Sequence, residues 1–195
     1  MNSDPVLITG VGKRVGLHLA QNFLIRGIPV IGTYRTQRDS IQELVNNGAK
    51  MYQCDFHDEL EIQKFTRSIT QNHQGLRAII HNASEWISDG HKDLTPLEIM
   101  HRMMQVHASA PYEINLKLQD LLMQSAHIHT DIIHIGDYIS SRGSQKHIAY
   151  AASKAAQDNL TLSFAAKLAP KVKVNSIAPA LVLFNEDDDE SYKEK

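Results

Sequence analysis

The sequence predicts a doubly wound α/β fold, a parallel sheet with helices on both faces. Short apolar runs of strand length alternate about six times with segments of helical period, and a cluster of glycines follows the first run directly. No internal repeat or interdomain linker interrupts the 195 residues. Parallel neighbours need crossover connections, and helices are the usual crossovers. One domain over 1–195 is expected, with enough chain to bury a core of its own.

The first strand is Val6–Ile8, followed by the glycine turn and a helix over 14–26 whose apolar positions are Val15, Leu17, Leu19, Ala20, Phe23 and Leu24. Residues 29–34 (PVIGTY) form the second strand, and 40–47 a short helix closed by Gly48. The third strand is 50–54, the next helix 59–73 and the fourth strand Ala78–His81. A long helical zone covers 96–126. Pro111 is expected to break or kink it, because proline lacks the N–H for an intrahelical bond. The fifth strand is 131–135, followed by the helix Ile148–Leu168 and the sixth strand Val172–Ile177. The acidic end, 185–195, reads as a solvated, mobile surface segment.

Composition excludes several functions. With 20 Lys+Arg against 22 Asp+Glu, net charge −2, there is no basic excess for a large nucleic-acid surface. No apolar run approaches the roughly 20 residues of a membrane span, and the N-terminus lacks a basic region followed by an apolar stretch. A cytoplasmic protein without membrane or nucleic-acid partners is therefore expected. A single cysteine, Cys54, forms no intrachain disulfide. Among 11 histidines, the cluster of His127, His129 and His134 lacks the Cys or carboxylate partners of a zinc site, and no metal is expected.

Thr9-Gly10-Val11-Gly12-Lys13-Arg14-Val15-Gly16 lies between the first strand and its helix. Glycines there tolerate positive φ and let backbone N–H groups approach a pyrophosphate, to which the helix N-terminus adds positive charge. The spacing is one residue longer than the usual dinucleotide fingerprint, and a plain tight connection is the alternative. The second strand ends in Tyr34-Arg35-Thr36, with arginine and no acid. A guanidinium there, joined by Arg14, suits a 2′-phosphate and favours NADPH over NADH; plain surface arginines are the alternative. Asp55, after the third strand, is placed to accept from an adenine amino group or to cap the next helix. Tyr150 and Lys154 share one helix face at i, i+4. An ammonium beside a phenol is expected to lower the tyrosine pKa and make it a usable proton donor.

Together these motifs resemble the short-chain dehydrogenase/reductase family. The matching stretches are Thr9-Gly10-x-Gly12-x-Arg14-x-Gly16, Asp55, Asn82-Ala83-Ser84, Tyr150-x-x-x-Lys154 and Val174-Asn175-Ser176-Ile177-Ala178-Pro179. The resemblance implies a Rossmann-type domain in which Tyr150 donates a proton and Lys154 binds the nicotinamide ribose and tunes Tyr150. It places Asn82 and Ala83 along the cofactor, with Val15, Tyr34, Phe56 and Ser84 beside it and Pro179 flanking the nicotinamide.

Two departures sharpen the reading. Where most members carry a serine to hold a substrate carbonyl, 13 residues before the tyrosine, this sequence has Asp137. A carboxylate repels a developing oxyanion but accepts hydrogen bonds from a nitrogen-rich ring. His107 replaces the family's usual asparagine, as a hydrogen-bond donor or as a purely structural residue. Asp137 with Asn82-Ala83-Ser84-Glu85-Trp86 resembles the pteridine reductase branch, in which an aromatic at the place of Trp86 stacks on the pterin; packing under a loop is its alternative. The branch implies NADPH-dependent reduction of a dihydropterin to the tetrahydropterin, of 7,8-dihydromonapterin and more weakly of dihydrofolate. Ser84, Trp86, Asp137 and Tyr150 would contact substrate. A carbonyl reductase of the same fold and a non-catalytic NADP-binding sensor are the rivals. The resemblance also implies a homotetramer built through the helices of 96–126 and 148–168. Family chains continue past the sixth strand to a substrate-loop helix and a seventh strand, so this sequence is expected to lack the C-terminal strand and to represent part of a longer, more active protein.

Overall fold

A computed structural model describes residues 4–180; the acidic 185–195 segment lies outside the described residues. Six parallel strands, β1 (Val6–Ile8), β2 (Val30–Tyr34), β3 (Lys50–Gln53), β4 (Ala78–His81), β5 (Thr130–Ile135) and β6 (Val172–Ile177), form one sheet in the order β3-β2-β1-β4-β5-β6. Helices α1 (Arg14–Ile25), α2 (Asp39–Asn46), α3 (Glu59–Asn72), α4 (Pro96–Met104), α5 (Ala110–Gln124) and α6 (Ile148–Leu168) provide the crossovers.

Every residue of β1 and β4 is buried, as expected of central strands covered on both faces. In register, Leu7 lies between Ile31 and Ile79, and Ile8 between Gly32 and Ile80. One core cluster includes Leu7, Ile31, Ile79, Phe65, Ile114 and Phe164; a second includes Val6, Ile8, Val30, Ala20, Ile41 and Ile80. Alternate residues of a strand face opposite ways, so these are the two faces of the sheet.

Pro111 does not break the long helical zone. A π-helical turn, Gln105–Ser109, joins α4 to α5, and the Ala110 N–H bonds the Gln105 carbonyl. Pro111 offers no N–H to the His107 carbonyl and would crowd it in a regular helix; widening the turn relieves the conflict. His107 sits in that wide turn, wholly buried. Smaller differences lie at element ends: α1 stops at Ile25 before Gly27 (φ +72°), α2 starts at Asp39, and β5 starts at Thr130, whose hydroxyl donates to the Leu122 carbonyl.

From β1 the chain goes first to β2 and β3, then returns to β4 on the other side of β1. The connections after β1 and β4 therefore diverge at the strands' carboxyl ends. Such a switch point opens a crevice.

Candidate active site

A cleft of about 920 Å³ lies over that switch point. Gly10, Gly12, Arg14, Val15, Gly16, Tyr34, Arg35, Asp55, Phe56, Asn82, Ala83, Ser84, Trp86, Asp137, Tyr150, Lys154 and Pro179 all line it. The sequence-predicted cofactor and substrate residues thus come together from seven separate segments.

Two of the three glycines answer to the protein's own packing. Gly10 has φ +72°, and a Cβ there would stand 2.8 Å from the Ala83 Cα; one on Gly16 would run into the Gly10 carbonyl. Gly12 differs, since its nearest neighbour would be Arg38 Cδ at 3.6 Å, an ordinary contact. The chain's own packing therefore does not demand glycine at 12. Asn82 lines the cleft but spends its amide on the turn, donating to the Thr9 and Gly10 carbonyls at 3.0 Å each. Thr9 Oγ1 accepts from the Asn82 and Ala83 N–H groups, so β4 and the turn hold one another.

At the β2 end, Lys13, Arg14, Arg35 and Arg38 line one side of the cleft. Arg14 takes φ +53°, the left-handed region. Arg35, 55% exposed, donates to Glu85 at 3.2 Å. Glu85 also takes both arms of Arg102, at 3.1 and 2.8 Å, and bonds His57 Nε2 at 3.0 Å. Although burial works against it, this carboxyl is held well below its usual range by bonds to His57 and Arg102. Asp55 does not cap α3: Asp58 does, accepting from the Leu60 and Glu61 N–H groups, while Asp55 accepts from His57 N–H in the turn before it.

At the other end, Tyr150 Oη donates to Asp137 Oδ2 at 2.7 Å. Asp137 Oδ1 accepts from the Ile139 N–H, which fixes the carboxylate over the start of a 3₁₀ turn, Tyr138–Ser141. Lys154 Nζ donates to the Ile135 carbonyl at 2.8 Å and lies 5.8 Å from the Tyr150 ring centre. Burial pulls Lys154 from 10.5 down to about 8, against the opposing charges of Asp137 and Asp158. The expectation that Lys154 lowers the Tyr150 pKa is not met. Burial raises it, and Asp137, bonded to the phenol, raises it further.

Trp86 is 62% exposed at the cleft mouth, which removes the core-packing alternative. One face of its indole stacks on His147, with ring centres 4.1 Å apart. The Trp86 loop is tied to α6 by Asp89, which accepts from the Ile148 N–H at 2.6 Å. His107 takes no part as a free donor to the cleft: Nε2 meets Ser84 Oγ at 2.9 Å and the Glu85 N–H at 3.3 Å, while Nδ1 meets Ser153 Oγ at 2.8 Å.

Sequence reasoning did not single out Lys13, Arg38, Glu85, Arg102, His147 or Ser153. Glu85 stood in the quoted Asn82-to-Trp86 stretch, but its arginine partners come from β2 and α4, and no local spacing marks them. Among the described residues, no three His, Cys, Asp or Glu side chains gather as a metal site, and no helix is long and apolar enough to cross a membrane.

Comparison with known proteins follows the same lines. A dihydromonapterin reductase of Klebsiella pneumoniae subsp. pneumoniae is 53% identical over 192 residues, covering 98% of this chain and 79% of that protein. Those of Enterobacter sp. (strain 638) and Escherichia coli (strain K12) are 54% and 50% identical, with the same coverage. Among solved structures, FolM alternative dihydrofolate reductase 1 from Brucella canis, complexed with NADP, matches with a TM-score of 0.83 at 24% identity, over 99% of this chain and 78% of that one. The short chain dehydrogenase family model matches residues 4–194, and the chain belongs to the short-chain dehydrogenase/reductase family.

Proposed function

We propose that this chain is an NADPH-dependent reductase of dihydropterins, acting on 7,8-dihydromonapterin and more weakly on dihydrofolate. The observation that carries it is the Tyr150–Asp137 hydrogen bond of 2.7 Å beside a cleft that also holds a glycine turn and an exposed indole. The names of the curated relatives and of the Brucella canis structure point the same way.

The residues present fit the cofactor. Gly12 leaves room that the protein itself does not need, Lys13, Arg14, Arg35 and Arg38 bring positive charge for phosphates, and the β2 end offers no acid to a ribose diol. Lys154 and Pro179 stand at the far end, where the nicotinamide and its ribose would lie. NADPH, when bound, supplies a hydride for C6 of the pterin C=N bond. Asp137 accepts hydrogen bonds from the ring's N–H donors, Trp86 offers the indole face turned away from His147, and Ser84 adds a second polar contact. N5 must gain a proton, and Tyr150 holds one firmly while it is bonded to Asp137. A simple ketone is served less well, because the Asp137 carboxylate faces its developing oxyanion.

Exposed Leu97, Tyr112 and Leu162 on α4, α5 and α6 support a homotetramer assembled through those helices. Sedimentation should give a four-chain mass; a stable monomer at micromolar concentration would reject the assembly. The catalytic reading is tested by following NADPH consumption with 7,8-dihydromonapterin, dihydrobiopterin, dihydrofolate and a panel of ketones. Turnover confined to the ketones would sink it.

A further inference from the structure

His107 is buried in the π-helical turn between α4 and α5, with both ring nitrogens engaged. The pattern of partners fixes its tautomer. A backbone N–H can only donate, so the Glu85 N–H aimed at Nε2 means that Nε2 carries a lone pair. On the other side, Ser153 gives its single hydroxyl hydrogen to the Tyr150 carbonyl at 2.7 Å. Ser153 Oγ is then an acceptor, and Nδ1 carries the hydrogen that it accepts. The two constraints agree on a neutral imidazole with Nδ1–H.

The consequence falls on Ser84. Its oxygen is 2.9 Å from the bare Nε2, and its hydroxyl also faces the Tyr150 phenol. One hydrogen cannot serve both. A neutral imidazole nitrogen is a stronger acceptor than a phenol oxygen, so the hydrogen goes to Nε2. We infer that His107 is a positioning residue that points the Ser84 hydroxyl away from the cleft, so that Ser84 presents lone pairs alone and, with the Asp137 carboxylate, selects substrates rich in ring N–H donors. This rests on the dihydropterin reading and deepens it. Two acceptors side by side suit an amino-pyrimidinone ring and disfavour a carbonyl, which needs a donor.

Two substitutions separate this role from a packing role. Glutamine carries its amide at the level of Nε2 and can keep an acceptor there; asparagine ends at the level of Nδ1 and leaves Ser84 and the Glu85 N–H without one. In the full chain, His107→Asn should raise the KM for 7,8-dihydromonapterin about tenfold, the loss of one hydrogen bond, with NADPH affinity by fluorescence close to wild type. His107→Gln should stay within about threefold of wild type. Released to face the cleft, Ser84 should also improve ketone reduction in His107→Asn. Equal KM values for the two variants, or a loss of NADPH affinity that tracks the KM, would overturn the inference. If wild-type protein turns over no dihydropterin, the proposed function fails, and the tautomer is still read by ¹⁵N NMR of the histidines. A protonated Nδ1 and a bare Nε2 whose shift moves in Ser84→Ala support the inference; a protonated Nε2 contradicts it.

Discussion

Tyr150 keeps its proton because the phenol is buried and Asp137 takes its hydrogen bond. A serine at 137 would remove the negative charge while leaving a hydroxyl within reach. Asp137→Ser should therefore cut kcat/KM for dihydropterins by about a hundredfold or more. It should also bring the Tyr150 titration down in pH, as followed by ultraviolet difference absorbance; an unchanged titration would show that Asp137 does not hold the proton. Lys154 bears a cost of a different kind. With a folded pKa near 8 against 10.5, both states are protonated below about 8, and native Lys154 pays for a buried charge. Between about 8 and 10.5 the unfolded chain binds more protons, so this residue's contribution to stability rises with pH. Lys154→Met should abolish activity without lowering Tm at pH 7, because the buried charge costs on the order of 3 kcal/mol there. A Tm drop of several degrees would contradict that. The i, i+4 pairing of Tyr150 and Lys154 was legible in the sequence because a helix face is a local property. The direction of the Tyr150 shift was not, since it depends on where β5 delivers Asp137.

At the scale of elements, β4 and β5 carry a buried histidine pair outside the cleft lining. His81 Nε2 meets Asn115 of α5 at 2.8 Å, His134 Nδ1 meets Thr161 of α6 at 2.7 Å, and the two rings stack with centres 5.0 Å apart. Burial lowers His81 to about 4 and His134 to about 2. Both are neutral when folded, while the unfolded chain takes up protons near 6.5. Their stabilising contribution is complete above pH 6.5 and is lost as pH falls, down to about 4 for His81 and about 2 for His134. Urea unfolding at pH 7, 6 and 5 should show stability falling by up to about 1.4 kcal/mol per pH unit for each histidine. A flat profile over that range would count against the buried pair. Strands such as Ala78–His81 announced themselves as short apolar runs. The π-helical turn did not: Pro111 signalled a conflict in the helix, but whether the chain breaks there or widens depends on how His107 packs among Ser84, Glu85 and Ser153.

Over the whole molecule, the strand order gathers basic side chains at one end of the cleft and sets the Asp137 carboxylate, beside Lys154, at the other. Lys13, Arg14, Arg35 and Arg38 gather by β1 and β2, and Asp137 stands by β5. A net charge of −2 hides this separation, which is why composition spoke to excluded partners and not to the ligand. The sheet and most of its lining residues were readable because each motif sits at a strand's carboxyl end, where this topology gathers side chains. The Glu85 hub and the Trp86–His147 stack were not readable, since they join residues distant in sequence. The charge arrangement predicts that NADPH serves far better than NADH. The most direct measurement is NADPH oxidation by the purified chain, with 7,8-dihydromonapterin, dihydrofolate and simple ketones assayed side by side. The account predicts fastest turnover with dihydromonapterin, slower turnover with dihydrofolate and the least with ketones; rapid ketone reduction with no dihydropterin turnover would contradict it.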